Sequence, residues 1–444
     1  MFLTHHSMRL ISIVGFLMVL LFAATTATEE GVEKTGKLVF AHVMYRHGDR
    51  TPIDPYPNDP YRTPTEWDGV DWGQLTNVGK RQHYELGKWL RNRYGSLVNE
   101  TYSRNEIFVR STDVERTLQS ALSNLAGFFP PMGHDVWNED LKWQPIPVHT
   151  MPEKLDLLLA SKKACPAYQY ALKKRRRSEE YKELNKRFQG LYEYLSANTG
   201  RQINSLEGVQ MLYSCLLIES IHNKTLPEWT KPIFPGDMEW ISAKSFSTYC
   251  STPQLARLKS GPILKEMLER FKNKTLGTLK PDRSLWIYSA HDTTVANLLN
   301  ILGLFDPPHS PPFAACVMLE MRLIDEKPYI SVFYKNTTAE PEAMNIPRCG
   351  RSCPLDKMFT LYKDLLPTDW EAECKLPLMT MSYEEVDLSS PSSAIVAVTV
   401  LVTSCLALLL VLMLVYAAIT YNRRRHYQEL YNIRTGPSRR SQLI

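Results

Sequence analysis

From Leu38 to Met44 the chain reads LVFAHVM, apolar apart from His42, and then breaks into Tyr45-Arg46-His47-Gly48-Asp49-Arg50-Thr51-Pro52. A run with no wet face fits a parallel strand buried inside a sheet. Gly48 and Pro52 end it and turn the chain. The unit recurs. Ile107 to Val109 form a short apolar strand ending at Arg110-Ser111-Thr112, and a helix from near Asp113 carries Leu118, Leu122, Leu125 and Phe129 on one face until Pro130-Pro131. Leu285 to Tyr288 form a third strand, ending at Ser289-Ala290-His291-Asp292-Thr293-Thr294, and Val295, Leu298, Leu299 and Leu302 mark the helix after it. Strands alternating with helices predict an α/β fold whose ligand crevice lies at the carboxyl ends of the strands. Those ends deliver Arg46, His47, Arg50, Arg110, His291 and Asp292, near helix N-termini that favour an anion.

The two ends of the chain stand apart from this fold. Residues 1–27 carry Arg9, an apolar stretch from Leu10 to Ala24 and small residues to Ala27, the pattern of a secretory signal peptide. Residues 394–420 hold no charge and are long enough to cross a bilayer, and Arg423-Arg424-Arg425 follow, the mark of a cytoplasmic side. The expected order is therefore signal 1–27, lumenal body 28–378, Ser- and Pro-bearing stalk 379–393, span 394–420 and tail 421–444. The net charge is +5, but the tail's six arginines against Glu429 account for as much, and Arg9 adds one, so the body is close to −1. A near-neutral body excludes a polyanion-binding role such as nucleic-acid binding.

An oxidising compartment agrees with seven cysteines in the body and with glycosylation triplets at Asn99, Asn223, Asn273 and Asn336. Cys349 and Cys353 are close enough to close a small loop; spacing leaves the other pairings open. Residues 53–74, rich in Pro, Asp and Trp, read as a long loop beside the site, and Thr76 as the N-cap of a following helix. From about 150 to 245 the chain turns charged and helix-forming, a helical insert in which the basic run Lys173 to Arg177 is a solvated face. Tyr329 to Tyr334 is a further strand candidate.

A histidine between arginines suits a phosphoryl group, since guanidinium donors match phosphate oxygens two at a time. Arg46-His47-Gly48-x-Arg50-Thr51-Pro52 with the late His291-Asp292 resembles the histidine acid phosphatase family over roughly Lys37 to Cys374, and Arg110 looks like its third phosphate arginine. The flanking segments are similar to the membrane-anchored lysosomal members, with the secreted prostatic members as relatives. The resemblance implies a mixed sheet flanked by helices, of the histidine phosphatase or phosphoglycerate mutase type, with a smaller helical insert domain and one C-terminal transmembrane helix. It implies His47 as nucleophile, Asp292 as proton donor, and Arg46, Arg50, Arg110 and His291 as phosphate ligands.

It further implies disulfides Cys165–Cys374, Cys215–Cys316 and Cys349–Cys353, which leave Cys250 over, and a homodimer in a lysosomal membrane reached by the secretory pathway, with the plasma membrane as the alternative location. No cofactor is implied. A metal held by His47, Asp49, His291 and Asp292 is disfavoured, because the surrounding arginines would repel a cation. Two alternatives stand beside phosphomonoester hydrolysis. One is a catalytically silent binding ectodomain on the same fold. The other is a variant specialised for inositol or lipid phosphates, against which the His291-Asp292 pair speaks, since inositol-specific relatives often carry His-Ala-Glu there. In the tail, Tyr427-x-x-Leu430 matches the short signal that clathrin adaptors bind in extended form.

Overall fold

The structure, a computed structural model, describes residues 36–376 and 391–434. The expected signal peptide, most of the stalk and the residues after Arg434 lie outside the described residues. Two compact units, one ending at Lys375 and one beginning at Leu376, are taken separately.

The first unit opens with β1 (Lys37–Arg46), α1 (Asn77–Tyr94), β2 (Ile107–Ser111) and α2 (Glu115–Phe128). Five helices follow: α3 (Pro166–Arg176), α4 (Glu179–Arg187), α5 (Gln189–Thr199), α6 (Leu206–Ile221) and α7 (Gly236–Thr248). Then come α8 (Pro253–Lys259), α9 (Gly261–Thr275), β3 (Leu285–Ala290) and α10 (Asp292–Ile301). The unit closes with β4 (Cys316–Ile324), β5 (Lys327–Lys335), β6 (Cys353–Pro354), α11 (Leu355–Tyr362) and α12 (Trp370–Glu373).

The sheet has the order β2-β3-β1-β4-β5-β6. The first three strands run parallel, and β4 to β6 join antiparallel, so the sheet is mixed. β1 is central and covered on both faces. Phe40 and Met44 enter one core with α9, α10 and α11, while Ala41, Val43 and Tyr45 enter the other with α1 and α2. That double burial is why the strand reads as an unbroken apolar run. His42 is the exception, fully buried with its ring against the Met267 carbonyl at 3.3 Å. Burial first, then Arg270, lowers its pKa well below the ordinary value, so it stays neutral.

The helical insert builds a third core around Leu195, Leu206, Val209, Leu216 and Met238, in the same compact unit as the sheet. The 53–74 loop lies on this insert and contains one short 3-10 turn, Pro64–Trp67. Asn58 N donates to Thr199 O at 3.0 Å, and Arg201 pairs with Asp54 at 3.0 Å.

Two disulfides form, Cys165–Cys374 and Cys349–Cys353. The expected Cys215–Cys316 bridge does not. Cys215 belongs to the insert core and Cys316 to the α1–α2 face of the sheet, and both remain buried thiols, as does Cys250.

The second unit contains α13 (Pro391–Arg434), which encloses the expected span and has Val398–Gln428 long and apolar enough to cross a membrane. Tyr427 and Leu430 are exposed on it, but as part of the helix, not the extended segment expected of the tail.

Candidate active site

The register of the parallel strands brings three strand ends level: Arg46 stands opposite Ala290, and Ser111 opposite Ser289. The chain continues from these ends into the site. His47 N donates to Ala290 O at 2.9 Å, and Thr112 N to Ser289 O at 3.1 Å. Gly48 lies against the first turn of α1, where a Cβ on it would stand 2.5 Å from the Gly79 carbonyl oxygen. Only a residue without a side chain lets the motif settle that closely on the helix. Thr76 caps α1 as expected, accepting from Gly79 N, and its hydroxyl donates to Asp49 at 2.5 Å. His222, at the end of α6, holds the same Asp49 oxygen at 2.7 Å.

His47 is buried, and its Nδ1 lies 2.8 Å from the Gly48 carbonyl oxygen. A carbonyl only accepts, so Nδ1 carries the proton and Nε2 keeps a free lone pair. Burial, then Arg46, Arg116, His291 and Arg50, lowers the His47 pKa well below 6.5. The imidazole therefore stays unprotonated in mild acid.

Arg46 sits under the site, its guanidinium 4.0 Å from the Phe313 ring centre, donating to Pro311 O at 2.5 Å and paired with Asp292 at 3.1 Å. Arg50 donates to Thr51 O at 2.9 Å and to the Ser214 hydroxyl of α6 at 3.3 Å. Burial, then Arg46 and Arg116, brings its pKa down to about 9, so it remains a cation in acid. Asp292 begins α10, and one of its oxygens accepts from Thr293 N at 2.7 Å. Burial pushes its pKa up, but Arg46, His291 and Arg50 outweigh this and hold it below the ordinary 3.8. His291 lies 3.1 Å from the Thr112 hydroxyl; burial, then Arg116, lowers its pKa to about 3.

These groups meet at a cavity of about 280 Å³ whose lining includes His47, Arg50, Arg116, His291 and Asp292. Residues 37–335 match one family, the histidine phosphatase superfamily (branch 2). The chain belongs to it. Among its relatives in this superfamily, the chain is 38% identical over 353 residues to the prostatic acid phosphatase of Bos taurus, covering 78% of this chain and 90% of that one. It is 33% identical over 406 residues to the lysosomal acid phosphatase of Xenopus laevis, covering 89% and 91%. A Hafnia alvei phytase structure shares the fold, with a TM-score of 0.58 at 18% identity over 77% of this chain and 99% of that one.

Within this candidate site one expectation needs correcting. Arg110 does not line the cavity. Its side chain leaves β2 on the face opposite Val109 and Ser111 and pairs at 2.9 Å with the fully buried Asp156. Asp156 also accepts from the backbone N–H groups of Leu158, Leu159 and Ala160, so this pair fastens the chain that leads towards the insert. Arg116 occupies the cavity instead. It lies in the first turn of α2, where side chains lean towards the helix N-terminus and hence back over the strand ends. That lean was the available signal: of two arginines in Arg110-Ser-Thr-Asp-Val-Glu-Arg116, the helical one can reach a crevice beyond the strand. The sequence reading also missed the far wall, where α6 supplies Gln210, Met211, Ser214 and Cys215.

Proposed function

We propose that the chain is an acid phosphatase that hydrolyses phosphate monoesters through a phosphohistidine at His47. The observation that carries this is the bare Nε2 of His47 beside a cavity lined by Arg50 and Arg116, with Asp292 at its edge and Arg46 paired to Asp292 from beneath. The phosphoryl oxygens take the guanidinium groups and His291, which offset the charge that develops during transfer. His47 Nε2 then forms a bond to phosphorus as the ester P–O bond breaks, and the Asp292 carboxyl gives its proton to the leaving oxygen. Water attacks the phosphohistidine in a second displacement, passing a proton to the Asp292 carboxylate, and inorganic phosphate leaves.

Acid enters through Asp292. In the free site Arg46 keeps it ionised, so it cannot donate. A bound phosphate competes for the same guanidinium and raises the proton affinity of the carboxyl. Lowering the pH therefore fills Asp292 without protonating His47. The test is a panel of phosphomonoesters assayed across pH with and without chelator, using the full chain and its Asp292→Asn variant. Hydrolysis is expected to rise from neutral into acid and to be unchanged by chelator. Asp292→Asn should slow phosphorylation by alkyl esters by roughly 10²–10⁴-fold, the usual worth of a positioned acid, and by activated aryl esters far less. Chelator-sensitive activity, or equal losses for both ester types, would sink the assignment.

The same reading places the body in a lumen, with α13 as a single span and the lysosomal membrane as destination. The exposure of Asn99, Asn223, Asn273 and Asn336 and the resemblance to lysosomal relatives support it. A homodimer, as the family resemblance implies, belongs to it. Adaptor binding at Tyr427 and Leu430 would require the end of α13 to unwind, since the peptide must add to a sheet edge. Tyr427→Ala is expected to abolish uptake from the cell surface, and equal uptake by the two proteins would remove that residue from the route.

A further inference from the structure

Asp59, from the 53–74 loop, and Glu219, from α6, meet behind the cavity with a carboxylate oxygen of each within 4.8 Å of the other. Both are buried, Glu219 completely. Between them stands the Cys215 thiol, 3.6 Å from an Asp59 oxygen and 3.3 Å from a Glu219 oxygen. Asp59 has one backbone donor, Tyr61 N at 2.7 Å. The second oxygen of Glu219 and the buried Tyr56 hydroxyl have no partner. The nearby cations are committed elsewhere: Arg62 donates to Pro57 O at 2.6 Å and Lys224 to Glu66 O at 2.6 Å. Tyr56, Tyr61 and Arg62 of the loop, Cys215 of α6 and Lys224 beyond it are the titratable and charged groups that act on the pair. One turn further on, His222 is occupied with Asp49. Two carboxylates this close and this dry cannot both be ionised at moderate cost.

The position gives the pair its consequence. Ile53 and Asp54 of the loop line one side of the cavity, and Gln210, Met211, Ser214 and Cys215 of α6 line another. The carboxyl pair joins these two walls, and Ser214 in turn holds Arg50. We propose that Asp59 and Glu219 share one proton and act as an acid-dependent latch between the walls of the cavity, closed while the pair is singly ionised and broken when both groups ionise. The latch rests on the cavity being the phosphatase site proposed above.

Burial raises both carboxyls, and the direction of the pH effect follows from Glu219, the more deeply buried member. Burial first, then Asp59, pushes the Glu219 pKa from an ordinary 4.5 up to about 8. A carboxyl that holds its proton more tightly when folded supports the fold fully below its unfolded pKa. That support is lost as pH climbs through the interval to the folded value. The latch thus holds its proton in an acidic compartment and breaks only above neutrality, while its contribution to stability declines from the ordinary 4.5 upwards.

The test is the melting temperature of the full chain in detergent between about pH 4.5 and 8.5, a readout that does not depend on catalysis. The wild type is expected to lose stability across this window, and Glu219→Gln, which carries a permanent donor, to lose markedly less. Over the same window the wild-type KM for an aryl phosphate should rise more steeply than that of the variant. A wild-type melting temperature that is flat, or that falls equally in Glu219→Gln, overturns the latch while leaving the phosphatase reading untouched. Zn²⁺ alone raising the wild-type melting temperature, but not that of Glu219→Gln, also overturns it and makes Asp59, Cys215 and Glu219 a metal site. If Glu219→Gln does not fold, infrared spectra of the wild type decide. A protonated-carboxyl band persisting at about pH 6.5 and gone by about pH 9 supports the shared proton, and its absence at the lower pH overturns it.

Discussion

His47→Ala is expected to yield a folded protein that forms no phosphoenzyme and turns over phosphomonoesters on the order of a millionfold more slowly, the scale of loss when a covalent nucleophile is removed. The cause is geometric. Nδ1 of His47 is tied to its own neighbour's carbonyl, so all the nucleophilic capacity of the ring sits on Nε2, and alanine leaves the arginines a ligand to bind but no atom to transfer it to. Phosphate binding should survive the change. A rapid-quench experiment with ³²P-labelled substrate checks the outcome, and an acid-labile phosphoenzyme in the variant would end the assignment of His47.

The second large effect separates two arginines six residues apart. Arg116→Ala should lower kcat/KM by about 10²–10³-fold, as for loss of one donor aimed at developing charge, and weaken inhibition by phosphate, with little change in melting temperature. Arg110→Ala should do the reverse. It strands Asp156, fully buried and deprived of its cation, which costs about 3–5 kcal/mol when nothing else compensates; the three backbone donors to that carboxylate place the expected loss at the lower end. Paired thermal melts and phosphate-inhibition curves distinguish them. An Arg110→Ala protein of normal stability with poor phosphate binding would reverse the two roles.

These arginines also show where the sequence was legible and where it was not. β1 and β3 could be read because burial on both faces writes itself as a continuous apolar run, and α1 because Thr76 caps it and the apolar spacing is regular. The candidate site is legible because strand ends in register bring His47, Arg46, Arg50, His291 and Asp292 close together. β4 was not legible. Glu320 and Arg322 interrupt its apolar pattern; Glu320 is satisfied in the sheet by Arg93 and Tyr94 of α1 at 2.6 and 2.9 Å, and by Arg322 beside it at 3.3 Å. No local pattern announces the α1 partners, which lie far away in the chain. Arg110 was misplaced for a related reason: strand alternation decides its face, and the deciding partner, Asp156, is buried by a different segment. The Cys215–Cys316 expectation failed because pairing depends on which core each thiol enters.

The bridge from Cys165 to Cys374 reaches from the start of the insert to the last turn before the second unit. A protease that nicks any loop between those two cysteines, including one in the insert, leaves both fragments linked through sulfur and the body still attached to α13. Shedding in one cut therefore has a single address, the short stretch between Cys374 and the apolar helix. Any soluble form produced by cleavage there keeps the bridge intact at its new carboxyl terminus, whereas a cut between Cys165 and Cys374 releases nothing until the disulfide is reduced.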